Sequence, residues 1–352
     1  MTQSMSVLPI LIVLTATALM LRLMHPVAVL IDLLDKPCVR KQHTGSVPLI
    51  GGIAVFGGLA VAMLFSAELA LHSRLFLVSA AMMVFIGMLD DKYDLSVRIR
   101  LIGQFIAASV IIFGGDLYIS NLGNLFGLGN VDMGMAGIVF TYLAVLAAMN
   151  AYNMIDGIDG LLGSMGVISF FSIGLLAALN GHAELQLIAT LAGFALFPFL
   201  FCNLSISKHC RKVFMGDAGS MFVGLAVVWL LTLATQSQFT STQTVIISPV
   251  TSLWLVAIPI MDMVTIMVRR AINGKNPTSP DRDHIHHFYI RAGFCQSQTL
   301  AILCGQAVVL AVIGVVLNQL QTPAWASLLL FLGAYTVYCY QFKILRSKAV
   351  QS

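Results

Sequence analysis

Charge is what this sequence has least of. Only 10% of its 352 residues are Asp, Glu, Lys or Arg, against about 25% in a soluble domain. Hydrophobic residues make up 59% and the mean hydropathy is +0.92. No soluble fold buries that much apolar surface, which excludes a water-soluble enzyme and points to an integral membrane protein. The alternating ten-residue segments of a membrane β-barrel are missing too. Six cysteines are present without a CxxC pair, and they read as small hydrophobes or reduced thiols. No small-residue cleavage site follows the first apolar run, Val7 to Met24, so it reads as a first span rather than a removed signal peptide. There is no internal repeat of the kind many transporters carry.

What is there is a series of apolar runs, each about long enough to cross a ~30 Å hydrocarbon core as a helix. They predict an all-α polytopic protein, a single membrane domain over 1–352, with about eleven spans at 7–25, 49–66, 74–89, 99–114, 135–152, 160–179, 185–203, 218–235, 247–268, 299–317 and 323–341. The Gly-rich stretch between Gly114 and Gly137 is expected to hold an extra interfacial piece. Basic residues fall after alternate spans: Lys36, Arg40 and Lys41, then Lys92, Arg98 and Arg100, then Lys208, Arg211 and Lys212, then Arg269, Arg270, Lys275, Arg282 and Arg291, and last Lys343, Arg346 and Lys348. Only Arg74 falls on the other side. Basic loops stay in the cytoplasm, so the N-terminus is expected in the periplasm and the C-terminus in the cytoplasm of a bacterial inner membrane.

The aspartates crowd the same side, in loops at about 32–48, 90–98, 153–160, 204–217 and 269–298. An inner surface needs lysines and arginines, not a collection of carboxylates, and that concentration is the functional signal. Asp90 and Asp91 are adjacent, and burying both uncompensated is costly unless a divalent cation or cationic partner joins them. The plain alternative is a helix cap. Asn150, Asn153, Asp156 and Asp159 recur at helical spacing, with Gly157 and Gly160 beside the acids. The alternative there is an ordinary turn between spans. Asp217 opens a span behind Phe214 and Gly216, where a metal ligand, a ring for stacking on a base and a helix N-terminus that favours anions coincide. As structure alone it is an N-cap. Arg282, His284, His286 and His287 lie among prolines and suit phosphate, with a transition-metal site or a solvated loop as the alternatives. Asp35 and Lys41 sit in a basic loop that reads as positive-inside charge or as a phosphate contact. Asp262 lies inside a span, where a functional role and a structural hydrogen bond weigh equally. Carboxylates beside nucleotide phosphates suit Mg²⁺, and the chemistry that fits is phosphoryl transfer to a lipid.

In combination and order, Asp90-Asp91, Asn150-x-x-Asn153-x-x-Asp156-Gly-x-Asp159-Gly, Phe214-x-Gly216-Asp217-x-Gly219-Ser220 and His284-Ile-His286-His287 resemble the polyprenyl-phosphate N-acetylhexosamine-1-phosphate transferase family over nearly the whole chain. Asp35-Lys36-Pro37, Pro259-Ile-Met-Asp262 and Ser279-Pro280-Asp281-Arg282 match its bacterial branch that uses UDP-N-acetylglucosamine. The resemblance implies UDP-N-acetylglucosamine as donor, undecaprenyl phosphate as acceptor, Mg²⁺ as cofactor with Mn²⁺ as a substitute, and UMP as a product. The lipid made would start O-antigen or enterobacterial common antigen synthesis. It implies Asp217 as metal ligand with Asp91 beside it, and Asp90 as base. Asp156 and Asp159 would lie near nucleotide and metal, and Phe214 would stack on uracil. Asn150, Asn153, Asp35, Lys41, Arg282 and the three histidines would contact substrates. Dimers are common in the family, so a homodimer is an implied assembly, and no nucleic acid partner is expected. The rivals are a secondary transporter, which only Asp262 fits, and a non-catalytic scaffold.

Overall fold

The structure is a computed structural model that describes residues 7–35, 45–66, 70–207, 210–236, 245–274 and 284–351. Apolar sequence in these segments forms thirteen helices and one two-stranded ribbon. The helices are α1 (Val7–Leu30), α2 (Gly51–Ser66), α3 (Leu71–Tyr93), α4 (Val97–Gly114), α5 (Ala136–Ile155), α6 (Leu161–Leu179) and α7 (Ala183–Asn203). The second half adds α8 (Gly216–Thr235), α9 (Pro249–Leu255), α10 (Ala257–Ile272), α11 (Ile285–Arg291), α12 (Gln296–Gln319) and α13 (Ala324–Gln351). Strand β1 (Leu34–Asp35) pairs antiparallel with β2 (Val47–Pro48).

Each expected span coincides with helix, but the count differs from eleven. Among the described residues nine helices are long and apolar enough to cross a membrane, or ten if α9 and α10 are one bent crossing. Helix α2 is shorter because the ribbon takes up Val47–Pro48 and helix begins only at Gly51. The bend of 86° between α9 and α10 follows from Pro259, which has no N–H for the Leu255 carbonyl and clashes with it. No helix forms between Gly115 and Met135, the stretch expected to hold an interfacial piece. It is an irregular hairpin closed by a bridge between Asn121 and Asp132, and Gln236 accepts hydrogen bonds from the Ser120 and Asn121 N–H groups at 3.0 and 3.1 Å.

Helix α8 is the axis of the bundle. In its apolar window 94% of residues are buried, against 22% in α1, α12 and α13, whose exposed leucines and valines form the outer surface. With lipid outside, apolar burial does not drive helix association, and close packing by small residues does. A Cβ on Gly87 of α3 would sit 2.8 Å from the Asp217 carbonyl carbon and strike the Ala218 backbone, and one on Gly52 of α2 would strike Gly219. Three helices thus converge on the first turn of α8.

One cysteine expectation is corrected: Cys202 and Cys210 are joined in a disulfide, with Cα atoms 5.2 Å apart. The chain turns back after α7, with Ser205 at φ 52° and the Ile206 N–H donating to the Phe201 carbonyl, so the two cysteines meet. Their separation of eight residues gives no such signal in the sequence. Cys295, Cys304 and Cys339 are free thiols.

Candidate active site

The polar residues of α3, α4, α5, α8 and α11 meet at one end of the bundle. Helix α3 ends in Asp90-Asp91 and is closed by Asp94 at φ 51°, whose N–H donates to the Asp90 carbonyl. The Asp90 side chain is buried. One oxygen accepts the Leu95 N–H at 2.8 Å and the other accepts Arg100 Nη1 at 3.2 Å. Arg100, in the first turn of α4, also lies 3.9 Å from Asp217 Oδ2. One guanidinium therefore stands between two carboxylates from different helices.

Asp91 turns the other way. Its oxygens accept the backbone N–H groups of Asp217 at 2.7 Å and Ala218 at 3.2 Å. These are orphan donors at the start of α8, so Asp91 caps a neighbouring helix. Gly216 (φ 71°) has the backbone conformation that glycine tolerates best, and a Cβ there would collide with the Asp91 carboxylate. From α5, Asn153 Nδ2 donates to Asp217 Oδ1 at 2.6 Å and to Ser220 Oγ at 2.8 Å. The Asp217 side chain is thus fixed by α5 and its backbone by α3.

Asp156 follows α5. The residue is exposed at its edge, yet enough protein lies around the carboxyl to desolvate it. That desolvation, and then the charges of Asp217 and Asp159, push it up to about 7. Asp159 accepts Lys212 Nζ at 2.6 Å, and the same ammonium lies 5.2 Å from the centre of the Phe214 ring. The ribbon and the start of α2 hold the Phe214 segment: Pro48 accepts the Phe214 N–H at 2.9 Å, while Gly51 and Gly52 donate to the Phe214 and Met215 carbonyls at 2.9 and 3.0 Å. Asp35, mostly buried, belongs to that ribbon.

The histidines come from α11 and from the residue before it, His284. His286 is buried, and among the described residues neither ring nitrogen has a hydrogen-bond partner. It lies so close over Gly157 that a Cβ there would strike its Nε2. Burial first, then His287 and His284, hold its pKa well below the usual histidine value. The ring is therefore neutral near pH 7, with a free donor and a free acceptor beside the Asp156 loop. Its centre is 4.2 Å from that of His287 and 5.7 Å from that of His284.

Most of the expected residues are thus brought together. Asn150 is not: its amide donates to Gln104 at 3.2 Å and to the Leu146 carbonyl at 2.7 Å, one turn inside the bundle. Lys41 and Arg282 lie outside the described residues. Arg100 and Lys212 read in the sequence only as topological charge, and each pairs with a site aspartate. A basic residue beside a motif aspartate was the signal available. Among the described residues, no three His, Cys, Asp or Glu side chains converge as a ready-made metal cage.

Fold and site together define a multi-pass helical membrane protein with a carboxylate- and histidine-lined site at one end of its bundle. Comparison with known proteins narrows that class. The family described as Glycosyl transferase family 4 matches residues 73–235. The undecaprenyl-phosphate alpha-N-acetylglucosaminyl 1-phosphate transferase of Yersinia pestis is 42% identical over 318 residues, covering 90% of this chain and 86% of that one. The protein of the same name from Escherichia coli strain K12 is 42% identical over 328 residues, covering 93% and 88%. That of Pasteurella multocida is 39% identical over 323 residues, covering 92% and 89%. The chain belongs to glycosyl transferase family 4, among the membrane transferases.

Proposed function

We propose that this protein transfers N-acetylglucosamine-1-phosphate from UDP-N-acetylglucosamine to undecaprenyl phosphate, leaving undecaprenyl-pyrophosphoryl-N-acetylglucosamine and UMP. The observation that carries this reading is the meeting of Asp90, Arg100, Asn153, Asp156 and Asp217 at one end of a membrane bundle, in a chain 42% identical to relatives so named. That end also carries Lys92, Arg98, Lys212, Arg269 and Arg270, which the positive-inside rule assigns to the cytoplasm, where UDP-sugars are. The site therefore faces the cytoplasm of the inner membrane, within one transferase domain.

The residues suit Mg²⁺. A carboxyl pushed up to about 7 by the protein around it and by two other carboxylates is a group that a cation would relieve. A cation that keeps waters and takes substrate phosphate oxygens needs only one or two protein carboxylates, so an all-protein cage is unnecessary. Asp217 would hold it, with Asp156 facing it. When bound it would neutralise charge on the donor diphosphate. Asp91 is assigned to holding the α8 turn that presents Asp217, in place of the direct metal contact expected from the sequence.

In the reaction, an oxygen of the lipid phosphate bonds to the phosphorus that carries the sugar, and the bond from that phosphorus to the bridging oxygen breaks with UMP. Asp90 takes any proton remaining on the lipid phosphate, and Arg100 pairs with the incoming anion. His284, His286 and His287, with Arg282 and Lys41, contact the donor diphosphate, and Phe214 stacks on the uracil. Aligning two bound substrates in a site of fixed charges supplies the main rate terms, so no covalent enzyme intermediate is required.

The test is product analysis with a donor labelled in the sugar. Label that becomes extractable into organic solvent, with UMP formed in equal amount, supports the reading. UDP in place of UMP would mean transfer of the sugar without its phosphate and would overturn it.

A further inference from the structure

Asp262 is a carboxylate inside α10, only 1% exposed, in a bent helix pair long and apolar enough to cross a membrane. An ionisable group at such a place is costly unless it is satisfied and has a task. It is well satisfied. Oδ2 meets His284 Nδ1 at 2.7 Å, and Oδ1 accepts the Ile285 N–H at 3.0 Å and the Tyr338 hydroxyl at 3.1 Å. Those partners come from α11 and α13, so one side chain ties three elements together.

We propose that Asp262 is a positioning residue that fixes the ring orientation and tautomer of His284. A carboxylate can only accept here, so Nδ1 of His284 must carry a proton. Nε2 is then the ring nitrogen left for a ligand. If Nε2 also takes a proton, it donates to an anionic oxygen while Asp262 balances the charge from behind. This is the arrangement in which a buried acid orients a working histidine, and it suits a phosphate oxygen of the donor. Helix α11 has only seven residues, too few to hold itself in water. Its first N–H is the one that Asp262 accepts, so the carboxylate fixes the backbone as well as the ring. Tyr338 fixes the carboxylate in turn, which gives α13 a part in holding His284.

The kinetic arm of the test rests on the transfer reaction proposed above; the spectroscopic arm does not. Asp262→Asn keeps an oxygen for Ile285 and Tyr338 but presents an NH₂ to Nδ1, which forces the other tautomer. In the purified full-length protein it should raise KM for UDP-N-acetylglucosamine about tenfold, as expected for a lost charge-assisted hydrogen bond, and leave KM for undecaprenyl phosphate nearly unchanged. Adding it to His284→Gln should cost nothing further, because both changes act through one ring. In ¹⁵N-histidine NMR spectra, the Nδ1-bound proton signal that His284→Gln removes should also be lost in Asp262→Asn. Additive kinetic losses, equal rises in both KM values, or a wild-type donor KM in Asp262→Asn would overturn the proposal. So would persistence of that proton signal. If Asp262→Asn does not fold, Tyr338→Phe should move the donor KM in the same direction by a smaller factor, and no change there would overturn it. If the wild-type protein turns over no UDP-sugar, the transfer reading fails and the NMR signal alone decides this one.

Discussion

Asp91 at the end of α3 caps the first turn of α8, with its carboxylate oxygens 2.7 and 3.2 Å from the backbone nitrogens of Asp217 and Ala218. An acidic side chain at a helix N-terminus satisfies two orphan donors and favours the helix dipole. Here the acid and the helix are 126 residues apart in sequence. The cap therefore locks two helices together where Asp217 must be presented.

Asp91→Ala should lower both stability and turnover. Two N–H groups lose their acceptor, at a cost of about 1–3 kcal/mol. A lower melting temperature together with lost activity is expected in thermal unfolding and kinetic assays. Lost activity at unchanged stability would instead favour direct metal contact.

Gly87→Ala should be far more harmful than its size suggests. The added methyl meets the Ala218 and Asp217 backbone, which cannot move aside, whereas Gly305 and Gly333 have open space around them. Overpacking at Gly87 should cost about 1–3 kcal/mol and displace Asp217. Gly305→Ala and Gly333→Ala should keep wild-type melting temperature and turnover, measured side by side.

His286→Leu should separate stability from function. A buried polar ring that finds no partner among the described residues is destabilising, so an apolar replacement should leave the melting temperature equal or higher while turnover falls at least tenfold. The pH dependence follows from the lowered pKa. The folded chain resists a proton that the unfolded chain accepts near pH 6.5. The stability tied to a neutral His286 is fully present above that pH and is lost as pH falls below it. Melting temperature measured from pH 8 to pH 5 should fall less steeply in His286→Leu than in wild type.

Arg100→Ala should weaken activity in a way that added cation partly restores. Without the guanidinium, Asp90 and Asp217 face each other with less compensation. Turnover at low Mg²⁺ should drop about tenfold or more and recover in part as Mg²⁺ is raised, read from a Mg²⁺ titration of UMP release.

Much of this was legible in the sequence because apolar run length sets span length, and because a carboxylate cluster on an apolar background has few structural uses. Each expected span therefore met a helix, and Asp90, Asn153, Asp156 and Asp217 met one another. What was not legible depended on distance across the fold. Asp90 and Asp91 are alike in sequence, but side-chain direction on α3 sends one to Arg100 and the other to α8. Asn150 shares the spacing of Asn153, yet one helical turn puts it against Gln104 instead of Asp217. The expected span at 247–268 was unbroken, whereas the chain bends by 86° before Pro259; the partners of Asp262, at His284 and Tyr338, were not legible either.

The most direct test is UMP release by the purified protein from UDP-N-acetylglucosamine, with and without undecaprenyl phosphate, Mg²⁺ and EDTA, beside a folded Asp217→Asn variant. Release that requires both lipid and Mg²⁺ in the wild type, and falls by at least about a hundredfold in the variant, is the predicted result. Wild-type release by Asp217→Asn, or release indifferent to lipid, would contradict the assignment of this site.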